Sequence, residues 1–285
     1  MPATDLRPMV AADIEPASVA MAADDWGDRR TWFTFAVGSS ACHPFVIVDR
    51  DGDIAGSGVA TINGTVGWIG TIWVRSDLRR RGLGRALTEV TIDAAEAHGC
   101  RTLVLVSTDQ GRPLYEGLGF EVETWYRTME APDVPPDAAP ASGSDGSSAV
   151  RAATTADLDD IVALDRRATG EDRAVVLRQL VDPEATRVIA ADGNVRAFLA
   201  RAPWGGGATI APRLADAMAL LTARRMATVT GRRVRCGILL ENLEGAAALE
   251  AAGWTEAWRA PRLIRGDSLD WHPEHIWGQF NHALG

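Results

Sequence analysis

The sequence predicts an α/β protein of the α+β kind, a mixed sheet with helices packed on it, built twice in tandem. Three observations predict it. In each half, short strand-like runs joined by tight turns lead into a strand–helix–strand unit. The same segments recur in the same order in both halves, and a stretch with almost nothing to bury divides them. At 285 residues the chain is long for one domain and suits two of about 100 to 150.

In the first half, "LRPMVAADI" from residue 6 reads as an extended start and then a helix through 11–22 that an Asp can cap. Residues 24–38 read as helical or irregular. Strands are expected near 44–50, 53–62 and 66–75, the first two around a DG hairpin turn. A helix over 84–98 follows, with Leu87, Val90, Thr91 and Ala94 on one face and Gly99 at its end. "RTLVLVS" is a short β-branched run bounded by turn signals, hence a buried strand. A short helix near 111–118 and a strand near 121–129 complete the half.

The second half repeats this order. "VRAATTADL" at 150, "RVIAADGNVRAFLA" at 187 and "ALEAAGW" at 248 answer "LRPMVAADI", "FVIVDRDGDIAGSG" and "LYEGLGF". Its long helix starts at Pro212, a residue suited to a first helical turn, and ends before Gly231. The strand "RRVRCGILL" and a helix from Asn242 follow. Gly52 to Phe120 spans 68 positions and Gly193 to Trp254 spans 61, so the second half is 7 shorter. The deficit falls where the first half carries "DLRRRGLG". Domains are therefore expected at 1–130 and 149–285, joined by the Pro/Ala/Ser-rich linker 131–148.

A net charge of −9 argues against nucleic acid or an anionic membrane as partner, since such proteins carry a basic face. The chain has no lysine, which excludes a lysine Schiff base and a GK[ST] phosphate loop. Cys42, Cys100 and Cys236 are odd in number and widely spaced, so neither a disulfide framework nor a zinc site is expected. The N-terminus lacks a signal peptide's apolar core, and no run approaches membrane-spanning length. A reduced, cytoplasmic protein is the expectation.

Gly82 and Gly84 stand between a strand and a helix. Glycine permits positive φ and close approach of a ligand to the backbone, and the first helical turn presents unpaired N–H groups at the positive end of the helix dipole. Such a turn binds phosphates, and the arginines of "RRRGLGR" add charge-assisted bonds. A solvated loop leading into a helix explains the same residues equally well. Their surroundings narrow the choice. "IWVRSDLRRRGLGRAL" resembles the acetyl-CoA motif of the GNAT N-acetyltransferase superfamily, V-x-P-x-x-[RQ]-x-x-G-x-[GA]: Val74, Arg79, Gly82 and Gly84 match, and Ser76 replaces the usual Pro. "TDQGRPLYEGLGF" is similar to the family's N-x-x-A-x-x-x-Y-x-x-x-G-F. Tyr115, Gly119 and Phe120 match, while Thr108 and Gly111 replace Asn and Ala.

The resemblance, which covers residues 5–130, implies two tandem GNAT acyl-CoA N-acyltransferase domains. It implies acetyl-CoA as co-substrate, with its pantetheine arm along the backbone of Ile72, Trp73 and Val74. Arg79, Arg80, Arg81, Gly82, Leu83, Gly84, Arg85 and Thr108 complete the implied cofactor set. The acceptor would be a small-molecule or protein amine, attacking the thioester directly in a ternary complex. Tyr115 would protonate the leaving thiolate. The positions where family members often carry a basic Glu hold Trp68 and Leu103, which leaves the base unassigned. Asp24, Asp25, Trp26 and Asp28 lie where the family borders its acceptor site, with helix capping and core packing as the competing reading. His43 and His98 read as structural. The second half has Leu249 in place of the Tyr and lacks the glycine loop, so it is expected to be a degenerate, non-catalytic domain. The pair His272 and His275 reads as packing and not as a metal site. A non-catalytic acyl-CoA-binding regulatory module is the alternative function.

Overall fold

The computed structural model describes residues 5–132, 150–228 and 233–285 of the protein. It divides into two units, and neither is a continuous half of the chain. The first comprises Met1–Glu121 with Leu263–Ser268 and Asn281–Gly285; the second comprises Val122–Arg262 with Leu269–Phe280. The expected division into 1–130 and 149–285 assigns those segments differently. The linker expected over 131–148 lies, beyond residue 132, outside the described residues.

In the first unit, β1 (Asp5–Pro8), α1 (Ile14–Ala23), α2 (Arg30–Gly38), β2 (Cys42–Val48), β3 (Ile54–Asn63) and β4 (Val66–Val74) follow in order. The strands pair antiparallel with their sequence neighbours, β1 on β2, β2 on β3 and β3 on β4. After α3 (Leu83–Ala97) comes β5 (Thr102–Val106), parallel to β4, and then α4 (Arg112–Glu116). The helix α3 buries Leu87, Ile92 and Ala95 against the sheet. Gly67 permits this close packing, because a Cβ there would stand 2.8 Å from that of Ala95. On the far side of β5 lies the end of the strand 255–266. Just beyond it, the Asp267 N–H donates to the Arg101 carbonyl at 3.2 Å.

Segment 281–285 lies along β4 of the same unit. The Asn63 side-chain amide donates to the Leu284 carbonyl at 3.0 Å in a buried setting. A Cβ on Gly70 would come within 2.6 Å of both Ala283 Cα and the His282 carbonyl, and one on Gly285 within 2.8 Å of the Trp68 indole. Glycine at position 70 is what admits the segment.

The second unit contains β6 (Glu121–Glu130), β7 (Arg151–Ala152), α5 (Leu158–Thr169), α6 (Ala174–Leu180), β8 (Arg187–Ala191), β9 (Asn194–Leu199) and β10 (Thr209–Ile210). Then come α7 (Leu214–Met226), β11 (Arg235–Leu239), α8 (Leu243–Ala251), β12 (Thr255–Gly266) and β13 (Ile276–Gly278). One sheet runs β13-β10-β9-β8-β7; β6 pairs antiparallel with β11 and has β12 on its other side. The core gathers Ile189, Leu220, Leu221, Ile238, Leu249 and Trp277.

The repeat is visible in detail. Arg7 grips the Asp13 carboxylate with two nitrogens at 2.7 and 2.9 Å, and Arg151 grips Asp157 at 2.7 and 2.7 Å. Each carboxylate also accepts a backbone N–H three residues earlier, from Val10 or Thr154. The lengths then diverge. Strand β4 has nine residues and its counterpart β10 two, and the helix expected to start at Pro212 begins at Leu214.

Candidate active site

Strands β4 and β5 pair only from Val66 to Trp68 and from Thr102 to Val104. Beyond Trp68 they part, and the β5-facing edge of β4 runs on to Val74 with its backbone groups unmatched by β5. Its opposite edge is bulged. Gly58 of β3 faces both Thr71 and Ile72, because the register shifts between Ser57 and Val59, and Thr71 takes a φ of +53°. Positive φ at a β-branched residue is strained, and two hydrogen bonds hold it: Ser57 Oγ donates to the Thr71 carbonyl at 3.1 Å and Trp32 Nε1 to Thr71 Oγ1 at 3.0 Å.

Where β4 ends, the loop turns into α3. Arg80 and Gly82 both adopt positive φ, +58° and +84°. Gly82 is the N-cap of α3 and contributes no side-chain cap. The Gly82 carbonyl accepts from Ala86, but among the described residues no acceptor takes the N–H groups of residues 80–85. These N–H groups stand at the positive end of a 15-residue helix, an arrangement that favours an anion. A Cβ at Gly84 would lie 3.8 Å from both Leu114 and Val74 side-chain carbons, so the loop, the end of β4 and α4 converge there.

The arginines of the loop divide by role. Arg79 donates through Nε to the Val74 carbonyl at 3.0 Å and pairs with Asp24, which also accepts from Trp73 Nε1 at 2.9 Å. Its side chain therefore ties the loop to β4 and to the end of α1. Arg81 donates to the Asp77 carbonyl at 3.1 Å, and Arg85 pairs with Glu89 one turn along α3. Arg80 is exposed and, among the described residues, bonded to nothing. Of the other expected cofactor residues, Ile72 and Val74 are half-buried, Trp73 is buried, and Leu83 anchors the loop in the apolar cluster of Ile47, Ala55 and Leu87.

Tyr115 lies on α4 with its ring buried edge-on to Phe120, centroids 6.3 Å apart. Burial pushes its phenol up to about 12, and the hydroxyl has no hydrogen-bond partner among the described residues. It is thus a neutral donor held free. Thr108 Oγ1 accepts from the Gly111 N–H at 3.2 Å, and Asn242 Oδ1 accepts from Gly245 N–H at 2.9 Å in the second unit; the contacts are alike, but only Asn242 is the N-cap of its helix, α4 being headed by Gly111. Ser107, which sequence reasoning missed, is buried just beyond β5 with an unpartnered hydroxyl.

The acidic segment is largely engaged. Asp24 serves Arg79 and Trp73; Asp28 accepts from Ser18 Oγ at 2.7 Å and from the Arg30 N–H at 2.9 Å. Asp25 is exposed at a φ of +64°, and Trp26 is half-buried. Trp68 and Leu103 are buried and apolar. Two residues not anticipated stand beside this region. Arg29 is half-buried with its Nε unpartnered, and burial lowers its pKa. His282, at Gly70, is pushed down to about 4 by burial and the nearby Arg29 charge. Neither had a local motif to betray it, since their place is set by a segment more than 200 positions away in sequence.

In the second unit, three residues (211–213) separate β10 from α7, against eight (75–82) between β4 and α3. The first turn of α7 holds a carboxylate of its own, Asp216, paired with Arg196 at 2.8 Å. Leu249 is fully buried where Tyr115 has its counterpart. His272, Glu274 and His275 lie together, the two rings stacked with centroids 4.8 Å apart and 24° from parallel, and one ligand atom of each residue within 4.8 Å of the others. The three cysteines are free and buried.

The profile of the Acetyltransferase (GNAT) family matches residues 9–120, and that of an Acetyltransferase (GNAT) domain matches 161–278. Among solved structures, a putative acetyltransferase from Pyrococcus horikoshii superposes with a TM-score of 0.81 at 18% identity, over 99% of this chain and 96% of that one. A tandem GNAT protein from the clavulanic acid biosynthesis pathway gives 0.63 at 15% identity, over 93% and 100%. A GCN5-related N-acetyltransferase from Sphaerobacter thermophilus gives 0.62 at 17%, over 94% and 98%. No curated protein matches the sequence significantly. Two GNAT profiles in series, on two units that each carry the family's strand–helix–strand core, establish that this chain belongs to the GNAT acetyltransferase family and holds two of its domains in tandem.

Proposed function

We propose that the first unit transfers an acetyl group from acetyl-CoA to a primary amine by direct attack in a ternary complex, and that the second unit is catalytically silent. One observation carries this reading. A glycine-shaped, uncapped helix N-terminus, an open strand edge and a free tyrosine hydroxyl meet in the first unit, and the second unit has a shortened connection, an internal carboxylate and a leucine instead. Residues 80–85 would hold the pyrophosphate through their N–H groups, with Arg80 as the unpaired cation. Ile72, Trp73 and Val74 would pair with the pantetheine arm as an added strand would, and Ser107 would meet one of its amides. The thioester carbonyl would lie at the bulge of β4, where a backbone N–H steadies the oxyanion. Tyr115 then gives its proton to the departing thiolate.

The incoming amine must lose a proton, and an alkylammonium holds one until about pH 10.4. In this reading it leaves through water and backbone carbonyls at the open edge of β4, with no side-chain base assigned. Segment 281–285 lays Gly285 against the Trp68 indole and the His282 carbonyl against Gly70, one residue before the bulge. Acetyl-CoA consumption assayed across amines, amino acids and peptide N-termini tests the proposal: CoA release above background with at least one acceptor is expected. Acetyl-CoA bound tightly with no turnover, unchanged by Tyr115→Phe, would identify a regulatory acyl-CoA-binding module instead.

A further inference from the structure

The second unit contains a cavity of about 500 Å³ between the end of α6, the start of β8, the loop after β9 and the last turns of α7. It does not correspond to the cofactor site of the first unit, which lies at the N-terminal end of the helix equivalent to α7. Its walls are mostly alanine and leucine side chains, with Arg187, Arg201 and Arg224 facing Asp182 and Glu184.

Several arginines elsewhere in this unit are matched: Arg151 to Asp157, Arg173 to Asp165, Arg196 to Asp216. Those of the cavity are not. Among the described residues neither Arg201 nor Arg224 has a carboxylate within bonding distance or donates a side-chain hydrogen bond, while Arg187 donates only to the carbonyls of Glu184 and Thr186, at 2.8 and 3.0 Å. Arg224 is half-buried, and its pKa falls through desolvation and through the like charge of Arg201. The helix C-terminus favours one cation at this place, but not a second beside it. Asp182 and Glu184 are exposed, and Asp182 Oδ1 already accepts the Glu184 N–H at 2.9 Å. Three cations against two anions leave the site one positive charge in excess.

We propose that this cavity is a binding site for a small organic monocarboxylate, its head held between Arg201 and Arg224 and its compact apolar body against the walls. A planar carboxylate suits guanidinium forks, and a single negative charge balances the excess. The volume is within the range of small-molecule sites.

The test uses the full chain, titrated with benzoate, isovalerate and phenyl phosphate by calorimetry and by thermal shift, against sodium chloride at matched ionic strength. Benzoate or isovalerate should bind and raise the melting temperature, with at least tenfold weaker binding in Arg201→Gln and in Arg224→Gln. Arg201 is exposed, so Arg201→Gln should fold as the parent does, which circular dichroism verifies. The proposal is overturned if neither carboxylate exceeds the chloride control, if both variants bind as tightly as the parent, or if phenyl phosphate alone binds. None of these outcomes depends on acetyl transfer by the first unit.

Discussion

Tyr115 and His282 are both kept neutral at pH 7 by burial, the phenol through a raised pKa and the imidazole through a lowered one. Replacing Tyr115 with Phe removes the donor and leaves the loop intact. We expect kcat to fall by about 100-fold or more while CoA affinity changes less than twofold, read by steady-state kinetics and calorimetry. His282 makes stability depend on pH. Its folded pKa of about 4 lies below the ordinary 6.5, so between these values the unfolded chain binds the extra proton. Stability from this group is complete above pH 6.5 and is lost as pH falls towards 4. At about 1.4 kcal/mol per pH unit the loss is bounded at roughly 3 kcal/mol. Urea melts across that window check it: His282→Gln should flatten the slope.

At the scale of elements, the bulged strand β4 organises the first unit. It gives one edge to the implied cofactor, one face to α3, and through Gly70 a seat to segment 281–285. A Cβ at Gly70 would meet backbone atoms, which cannot swing aside as a side-chain end can. Gly70→Ala should therefore destabilise the protein by about 2 kcal/mol or more and expose residues 281–285 to amide exchange, measured by hydrogen–deuterium exchange. At Gly67 an added Cβ would meet Ala95 Cβ at 2.8 Å, which moves only with α3, so Gly67→Ala should also destabilise the protein. The start of α3 is the other determining element. At Gly82 the backbone sits at +84°, where a Cβ is strained whatever space surrounds it. Gly82→Ala should weaken acetyl-CoA binding about tenfold with little change in melting temperature, because the position is exposed.

For the whole molecule, chain order and compact units disagree. The first unit includes residues 263–268 and 281–285, and Leu263 belongs to the cluster of Ile69, Leu103, Tyr115 and Phe120. A fragment ending at residue 130 keeps every catalytic residue named by the motifs, yet lacks a strand edge, the core Leu263 and His282. It should show no cooperative thermal transition by circular dichroism and no acetyl transfer. Truncation after residue 280 is the gentler version, expected to lower the melting temperature by uncovering Gly70 and Trp68.

Much of this was legible in the sequence because its signals are local. The period-two and helical patterns predict β2 to β5 and α3 to within about two residues, and the Arg–Asp pair six positions apart marks both repeats. The glycine–arginine loop is readable for the same reason: its function comes from backbone φ and unpaired N–H groups, which Gly82 and Gly84 specify in place. The sequence also predicts a silent second half, since a missing loop and Leu249 are visible without coordinates. What only the tertiary structure decided is non-local. Asp24 looks like an acceptor-site acid in sequence, but folding brings Arg79 and Trp73 onto it. His282 looks like packing in a tail, but the absent Cβ of Gly70 seats its carbonyl on β4, and burial with Arg29 nearby holds its ring neutral. Arg201 and Arg224 carry no motif at all; they matter because two separate elements aim like charges at one cavity. Sequence determines the conformation of short segments, whereas a buried imidazole or an unmatched charge is defined by neighbours, and neighbours are assigned only when strands and helices have packed.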